Sequence, residues 1–287
     1  MASLLNKQTA FWPVDKVILV YLVFSTVAVI WGWSNLPDAP ALLAAHCAGA
    51  ALIVIEVRKP NPTSWFFRHW YPLPYVSACY KEMALLIPAL RHGSADRTLA
   101  NLDHWVWGVD PTVWLERIQS PAATEYLQVI YTLFVPVVLV PAFILWLRRS
   151  YTGFQYFAFL IALGYLVSYV GYLLVPARGP RFLLAPLQHL PLRGLWLFQQ
   201  MQGTLDRLES AHYDCFPSGH TELTILAWWS TRQFGRNWLF RLYFAYTLSI
   251  IFATVYLRYH YSVDVFAGIL VAIILLATAP FLYRKLT

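Results

Sequence analysis

Residues 126–147, YLQVIYTLFVPVVLVPAFILWL, and residues 151–177, YTGFQYFAFLIALGYLVSYVGYLLVPA, contain no Asp, Glu, Lys or Arg, and only Arg148-Arg149-Ser150 separates them. A helix needs about 20 apolar residues to cross roughly 30 Å of hydrocarbon. Each stretch is long enough, so the fold is decided here: the chain is built of membrane-crossing helices. Working outward, Val17 to Trp33, Leu242 to Leu257 and Val265 to Tyr283 are also free of charge, and Ala39 to Ile55 is a sixth candidate once its end beside Glu56 is set aside. Ser218 to Phe234 reads as a span with polar ends, carrying His220, Glu222 and Arg232. Tyr75 to Leu90 carries Lys81 and Glu82 in its middle and follows Tyr71-Pro72-Leu73-Pro74, so it crosses, re-enters or lies at the interface. The expected architecture is an all-α, polytopic membrane helix bundle with seven or eight transmembrane helices.

Composition agrees: 59% of the 287 residues are hydrophobic, 17% aromatic and 12% charged, about half the usual charged share. The net charge of +7 would suit nucleic acid, but there is no basic stripe with exposed aromatics between its members. Lys and Arg instead gather at the ends of apolar runs. By the bias of these residues toward cytoplasmic loops, Arg148-Arg149, Arg232 with Arg236 and Arg241, and Arg284-Lys285 are expected inside. Lys7, Asp15 and Lys16 precede the first span without a small-residue cleavage pattern, so that span reads as a retained helix. If Arg58, Lys59 and Arg68 are also inside, Tyr75 to Leu90 crosses, giving eight helices with both termini inside; seven is the alternative. Trp65 to Tyr75 and Trp105 to Trp114 have the composition of interfacial belts. Cys47, Cys79 and Cys215 show no metal-ligand spacing, and their odd number gives no disulfide framework. One integral-membrane domain, 1–287, is expected: N-terminal helices and interfacial segments over 1–120 and a catalytic helical core over 121–287.

The chemistry gathers around the 40 residues from Arg178 to Pro217, the one long connection. It opens on Arg178-Gly179-Pro180-Arg181 and closes on Asp214-Cys215-Phe216-Pro217-Ser218-Gly219-His220; two helices later the chain returns to the same face with Arg258-Tyr259-His260-Tyr261-Ser262-Val263-Asp264. Ser218 and Gly219 ahead of an apolar run suit a helix start, where free N–H groups bind an anion. Arg178 and Arg181 supply forked donors for phosphate oxygens. His260 and Asp264, four apart, share a helical face, so the carboxylate can hold one ring nitrogen and leave the other as a nucleophile. His220 is then the acid for a leaving oxygen. The segment Trp196 to Ser210 is an interfacial cover or a plain connection, and His46, Glu56 and Glu125 read as satisfied interhelical or interfacial groups.

The order Arg178/Arg181, Pro217-Ser218-Gly219-His220, then His260-x-x-x-Asp264 resembles the type 2 phosphatidic acid phosphatase superfamily. The likeness implies a six-helix core mainly in the C-terminal half. It also implies catalytic roles for His260, His220 and Asp264 through a phosphohistidine, and substrate-phosphate binding by Arg178, Arg181, Ser218, Gly219 and Arg258, without metal or other cofactor. Leu174 and Phe182 stand where that family has a lysine and a proline, and Ala253-Thr254 where it has Ser-Arg, leaving Arg258 as the nearest arginine. His260-Tyr261-Ser262-Val263-Asp264-Val265 and Ser218-Gly219-His220-Thr221 are similar to the branch holding inositol phosphorylceramide and sphingomyelin synthases. The resemblance implies a lipid phosphate or phospholipid as substrate, with an acceptor alcohol if the reaction is transfer, in a membrane setting. A bacterial inner membrane with the site on its extracytoplasmic face is the expected location. A transporter is the rival reading; its site would lie near mid-membrane rather than at one face.

Overall fold

The computed structural model describes residues 10–58, 62–208 and 212–287; Lys7, Lys59 and Ser210, which entered the readings above, lie outside them. The fold is all-helical: α1 (Pro13–Trp31), α2 (Ala39–Arg58), α3 (Pro62–Trp70), α4 (Pro72–Leu90), α5 (Asp96–Trp107), α6 (Pro121–Thr132), α7 (Phe134–Leu147), α8 (Tyr151–Leu174), α9 (Phe198–Leu208), α10 (Gly219–Ser230), α11 (Asn237–Tyr256) and α12 (Ser262–Leu286), with short helical turns between some of them. Among the described residues the only β-type pairing is the isolated bridge between Ala177 and Asp214.

A helix that is apolar on every side belongs in the middle of a bundle. α8 is such a helix: Phe154, Phe157, Phe159, Leu160 and Ile161 are all buried, and α1, α4, α7, α10 and α12 pack around it. By length and composition α1, α2, α8, α11 and α12 are fit to cross a membrane, and α6 with α7 makes a sixth span bent by 46°. Pro136 explains the bend, because it cannot donate to the carbonyl of Thr132 and its ring crowds that carbonyl, so the helix breaks at Leu133. The expected count of seven or eight is thus higher than these criteria give. The two extra segments fall short for separate reasons. α10 has only 12 residues. α4 has 19, but it buries Glu82 while leaving Lys81 exposed.

Two clusters of polar groups inside the bundle pair across helices, as hydrocarbon favours. Glu82 on α4 meets His46 Nε2 at 2.8 Å and accepts from Ser25, while Thr26 lies 2.9 Å from His46 Nδ1, which ties α1, α2 and α4 together. Glu222 on α10 accepts from Ser168 on α8 at 2.5 Å. The bundle has two distinct ends. Lys16 at the start of α1 donates to the carbonyl of Leu286 at the end of α12, and Arg148 reaches the carbonyl of Phe234 at 3.4 Å. The other end of α12 carries the site.

Candidate active site

The site is assembled where three chain segments meet: 177–181, 214–220 and 258–264. Cys215 N–H donates to Ala177 O at 3.1 Å and Arg181 N–H to Arg258 O at 3.1 Å, so the first segment touches both others through its backbone. Gly179 makes that approach possible. Its φ of +97° lies where side chains are disfavoured, and a Cβ there would stand 2.5 Å from the carbonyl oxygen of Tyr259.

His260 follows the end of α11, where Arg258 adopts φ +68° and the amides of Tyr259 and His260 both donate to Thr254 O at 3.0 Å. Its Nδ1 lies 2.8 Å from Cys215 O. A carbonyl can only accept, so Nδ1 carries the proton and Nε2 keeps its lone pair. Asp264 Oδ2 is 3.6 Å from the same Nδ1; the backbone carbonyl, rather than the carboxylate, makes the close contact. Oδ2 is instead held by Cys215 Sγ–H at 2.7 Å and by Tyr261 N–H at 2.9 Å. Cys215 therefore fixes both members of the pair, a role that the sequence, in which the three cysteines show no metal-ligand spacing and no disulfide framework, gave no reason to assign. Burial, and then the charge of Asp264, push its thiol pKa up. The sulfur, His260 Nδ1 and an Asp264 oxygen lie within 4.8 Å of one another, the composition of a metal-ligand set. The three are also joined by hydrogen bonds, Sγ–H donating to Asp264 Oδ2.

His220 faces His260 with ring centroids 5.7 Å apart. It is sandwiched by aromatic rings, stacked on Tyr131 at 4.3 Å and beside Phe134 at 4.4 Å; Tyr131 also stacks on Tyr259 at 4.2 Å. Ser218 caps α10, its hydroxyl accepting from Thr221 N–H at 3.4 Å, but its own amide donates to Asp264 O at 3.1 Å. The N–H groups left for an anion are those of the first turn, beginning with Gly219. A cavity of about 260 Å³ reaches Gly219 and His220 between Tyr80, Tyr172 and Asp214, with Leu205 and Leu208 of α9 on its wall. Asp214 accepts from Tyr80 OH at 2.6 Å, and burial raises its pKa.

The arginines separate into two kinds. Arg178 is exposed, its guanidinium 4.3 Å over the Phe182 ring. Arg181 pairs with Asp206 of α9 at 2.7 Å and lies 4.9 Å over Tyr259. Arg258, expected at the phosphate, has protein partners in this structure. Its guanidinium donates to Glu116 at 2.8 Å, Gln188 Oε1 at 3.2 Å and Leu190 O at 2.6 Å, so it clamps the long loop.

A group of residues outside the motifs organises this end. Asp96 accepts from the amides of Arg178 and Gly179 at 2.9 and 2.8 Å and from Tyr261 OH at 3.0 Å. Asp103, seven residues on and so on the same face of α5, accepts from Ser262 N–H, Ser262 Oγ–H and Val263 N–H at 2.7–2.8 Å. Glu116 receives the amides of His189 and Leu190 at 3.3 Å. Glu125 receives those of Leu195, Trp196, Leu197 and Phe198 at 2.7–3.3 Å, capping α9. Segment 96–125 thus supplies the acceptors that the backbone of the long loop and the start of α12 need. The available signal was the density of carboxylates there, in a segment whose basic residues do not match them in number.

The profile of the PAP2 superfamily matches residues 97–278, a stretch that takes in most of α5 as well as all three site segments. No curated protein and no solved structure matches the chain. The paired histidines, the capped helix start and the arginines at one end of a helical bundle, together with a match over more than half its length, place the chain in the PAP2 superfamily, to which it belongs.

Proposed function

We propose that the protein is a lipid phosphatase or phosphotransferase that works through a phosphohistidine on His260. Superfamily membership supports the class of reaction. The observation that carries the mechanism is the fixed tautomer of His260, with Nδ1–H on Cys215 O and the ring opposite His220. Burial, and then His260, lower the His220 pKa, so its proton arrives with the anionic substrate, whose phosphate charge holds it there. In the first step Nε2 attacks phosphorus, the P–O bond to the lipid alcohol breaks, and His220 gives that proton to the departing oxygen. In the second step the neutral His220 takes a proton from water or an alcohol as its oxygen attacks phosphorus, and the P–N bond to His260 breaks. Arg178, Arg181 and the first-turn amides of α10 hold the non-bridging oxygens, where charge builds in each transition state. Asp264 stabilises the imidazolium character that His260 acquires.

Hydrolysis and transfer differ only in which oxygen discharges the intermediate. Transfer, the chemistry of the synthase branch, draws support from α9: Leu205 and Leu208 give the cavity beside His220 an apolar wall against which the chain of a lipid alcohol can lie. The site end of the bundle is assigned to the extracytoplasmic face of a bacterial inner membrane, because the basic clusters are expected inside. Incubation of purified protein with a phospholipid panel, with and without acceptor alcohols, followed by mass spectrometry of the lipids, tests the reading. Headgroup on an added alcohol shows transfer, dephosphorylated lipid with free phosphate shows hydrolysis, and neither product across the panel overturns both.

A further inference from the structure

The N-terminal half contains a second cavity, of about 410 Å³, between α1, α2, α3 and α4, a size within the usual range of small-molecule sites. It lies at the end of the bundle opposite the histidines. Asp15 on its wall is one residue from Lys16, which touches Leu286, whereas His260 precedes the start of α12. The 25 residues of α12 put roughly 37 Å between those ends, more than the hydrocarbon thickness.

Its walls are largely apolar, including Leu52, Ile53, Phe67 and Pro74; Leu52 and Phe67 are more than half exposed, so the mouth faces the lipid side. Three charged groups line it, and two cancel. Buried Arg68 donates to Asp15 Oδ2 at 2.8 Å and lies 4.3 Å over the Trp12 ring, while the other Asp15 oxygen accepts from Tyr71 OH at 2.6 Å. The third, Glu56, has its Oε2 buried without a hydrogen-bond partner, and among the described residues no cation pairs with it. This departs from the expectation that Glu56 is a satisfied interhelical group. A buried oxygen without a donor is unfavourable, so the site is complementary to something that brings hydrogen-bond donors, positive charge and an apolar tail.

We propose that this groove binds a phospholipid with a primary ammonium headgroup, its ammonium on Glu56 and one acyl chain along Leu52, Ile53, Phe67 and Pro74. A primary ammonium offers three N–H donors, which a trimethylated head lacks. The bound lipid belongs to the leaflet opposite the one that feeds the histidines. It ties α2 to α3 and α4 and takes no part in turnover.

Photo-crosslinking of the full-length protein in nanodiscs with a tail-labelled, photoactivatable phosphatidylethanolamine analogue tests the site. Cross-links are expected on peptides of α2, α3 and α4. Unlabelled phosphatidylethanolamine should displace the probe at a concentration about tenfold lower than phosphatidylglycerol or phosphatidylcholine, an outcome read on the wild-type protein alone. Glu56→Gln should reduce labelling about tenfold, while His260→Ala leaves it unchanged. Equal competition by the three lipids, undiminished labelling of folded Glu56→Gln, or cross-links confined to the loop at 178–217 would each overturn the proposal.

Discussion

His260 and His220 differ in what surrounds them, and that difference suits the separate jobs proposed for them. His260 is braced by a backbone carbonyl and has a free Nε2, whereas His220 lies between the rings of Tyr131 and Phe134 beside the cavity. Removing the nucleophile should end the covalent route: His260→Ala is expected to lose at least about 10³-fold in kcat, since discharge and formation of the intermediate both vanish. A folded variant with near-wild-type turnover would refute the mechanism. His220→Ala should lose about 10²–10⁴-fold with alkyl esters and much less with a nitrophenyl ester, whose leaving oxygen needs no proton; equal losses across a leaving-group series would remove its role as acid. His69 offers a prediction about stability. Packed among Trp12, Trp65 and Trp146, its pKa is lowered to about 4, mainly by burial and also by Arg68, against the opposing bond to Trp65 O. The unfolded chain binds this proton near pH 6.5, so between about pH 6.5 and 4 the unfolded state holds more protons and stability falls as pH falls. The loss is of order 3 kcal/mol, from 1.36 kcal/mol per pKa unit. Thermal unfolding in detergent across that window should show it, and His69→Phe should flatten the dependence; an unchanged slope would contradict the assignment.

At the scale of elements, the site depends on helices that do no chemistry. α5 presents Asp96 and Asp103 to the bundle and turns Trp105 and Trp107 outward, so one short interfacial helix holds both the 178–179 backbone and the start of α12. Asp103→Ala removes acceptors from two orphan amides and the Ser262 hydroxyl, a loss of about 1–3 kcal/mol. It should lower the melting temperature and reduce kcat together, because α12 carries Asp264 and follows His260 directly. Full activity with unchanged melting would show that α5 only decorates the site. The apolar runs were legible because crossing hydrocarbon imposes a length on the sequence, and the three site segments because their residue types are few and ordered. The break at Leu133 is local proline chemistry inside an uninterrupted apolar run, which hydropathy passes over. The Arg258–Glu116 pair was not legible, because a charge near His260 looks the same in sequence whether it meets phosphate or a carboxylate. Asp96, Asp103 and Glu116 were missed for a related reason: they bind backbone amides, which every residue has, so no partner type in the sequence marks them; Glu125, read as a satisfied group, is one.

Across the whole molecule, charge and chemistry occupy opposite ends. Arg148 contacts Phe234 O, next to the cluster of Arg232 and Arg236, while Arg284 and Lys285 end the helix whose last carbonyls meet Lys16. The histidines lie beyond the other end of that helix. Lys and Arg are retained on the cytoplasmic side in most membrane proteins, so these clusters support the proposed orientation without reference to the site. Cys215 cannot report it, being only 3% exposed with its thiol pushed toward the protonated form. Exposed positions serve better. His189 stands in the long loop with its side chain in solvent, and Arg284 is exposed at the opposite end. In a background where Cys47, Cys79 and Cys215 are replaced, His189→Cys should react with a membrane-impermeant maleimide in intact cells, and Arg284→Cys only after permeabilisation. The reverse pattern would put the histidines on the cytoplasmic side and require substrate to arrive from that leaflet; it would also move the ammonium-lipid groove, which shares the end of Arg284, to the outer one.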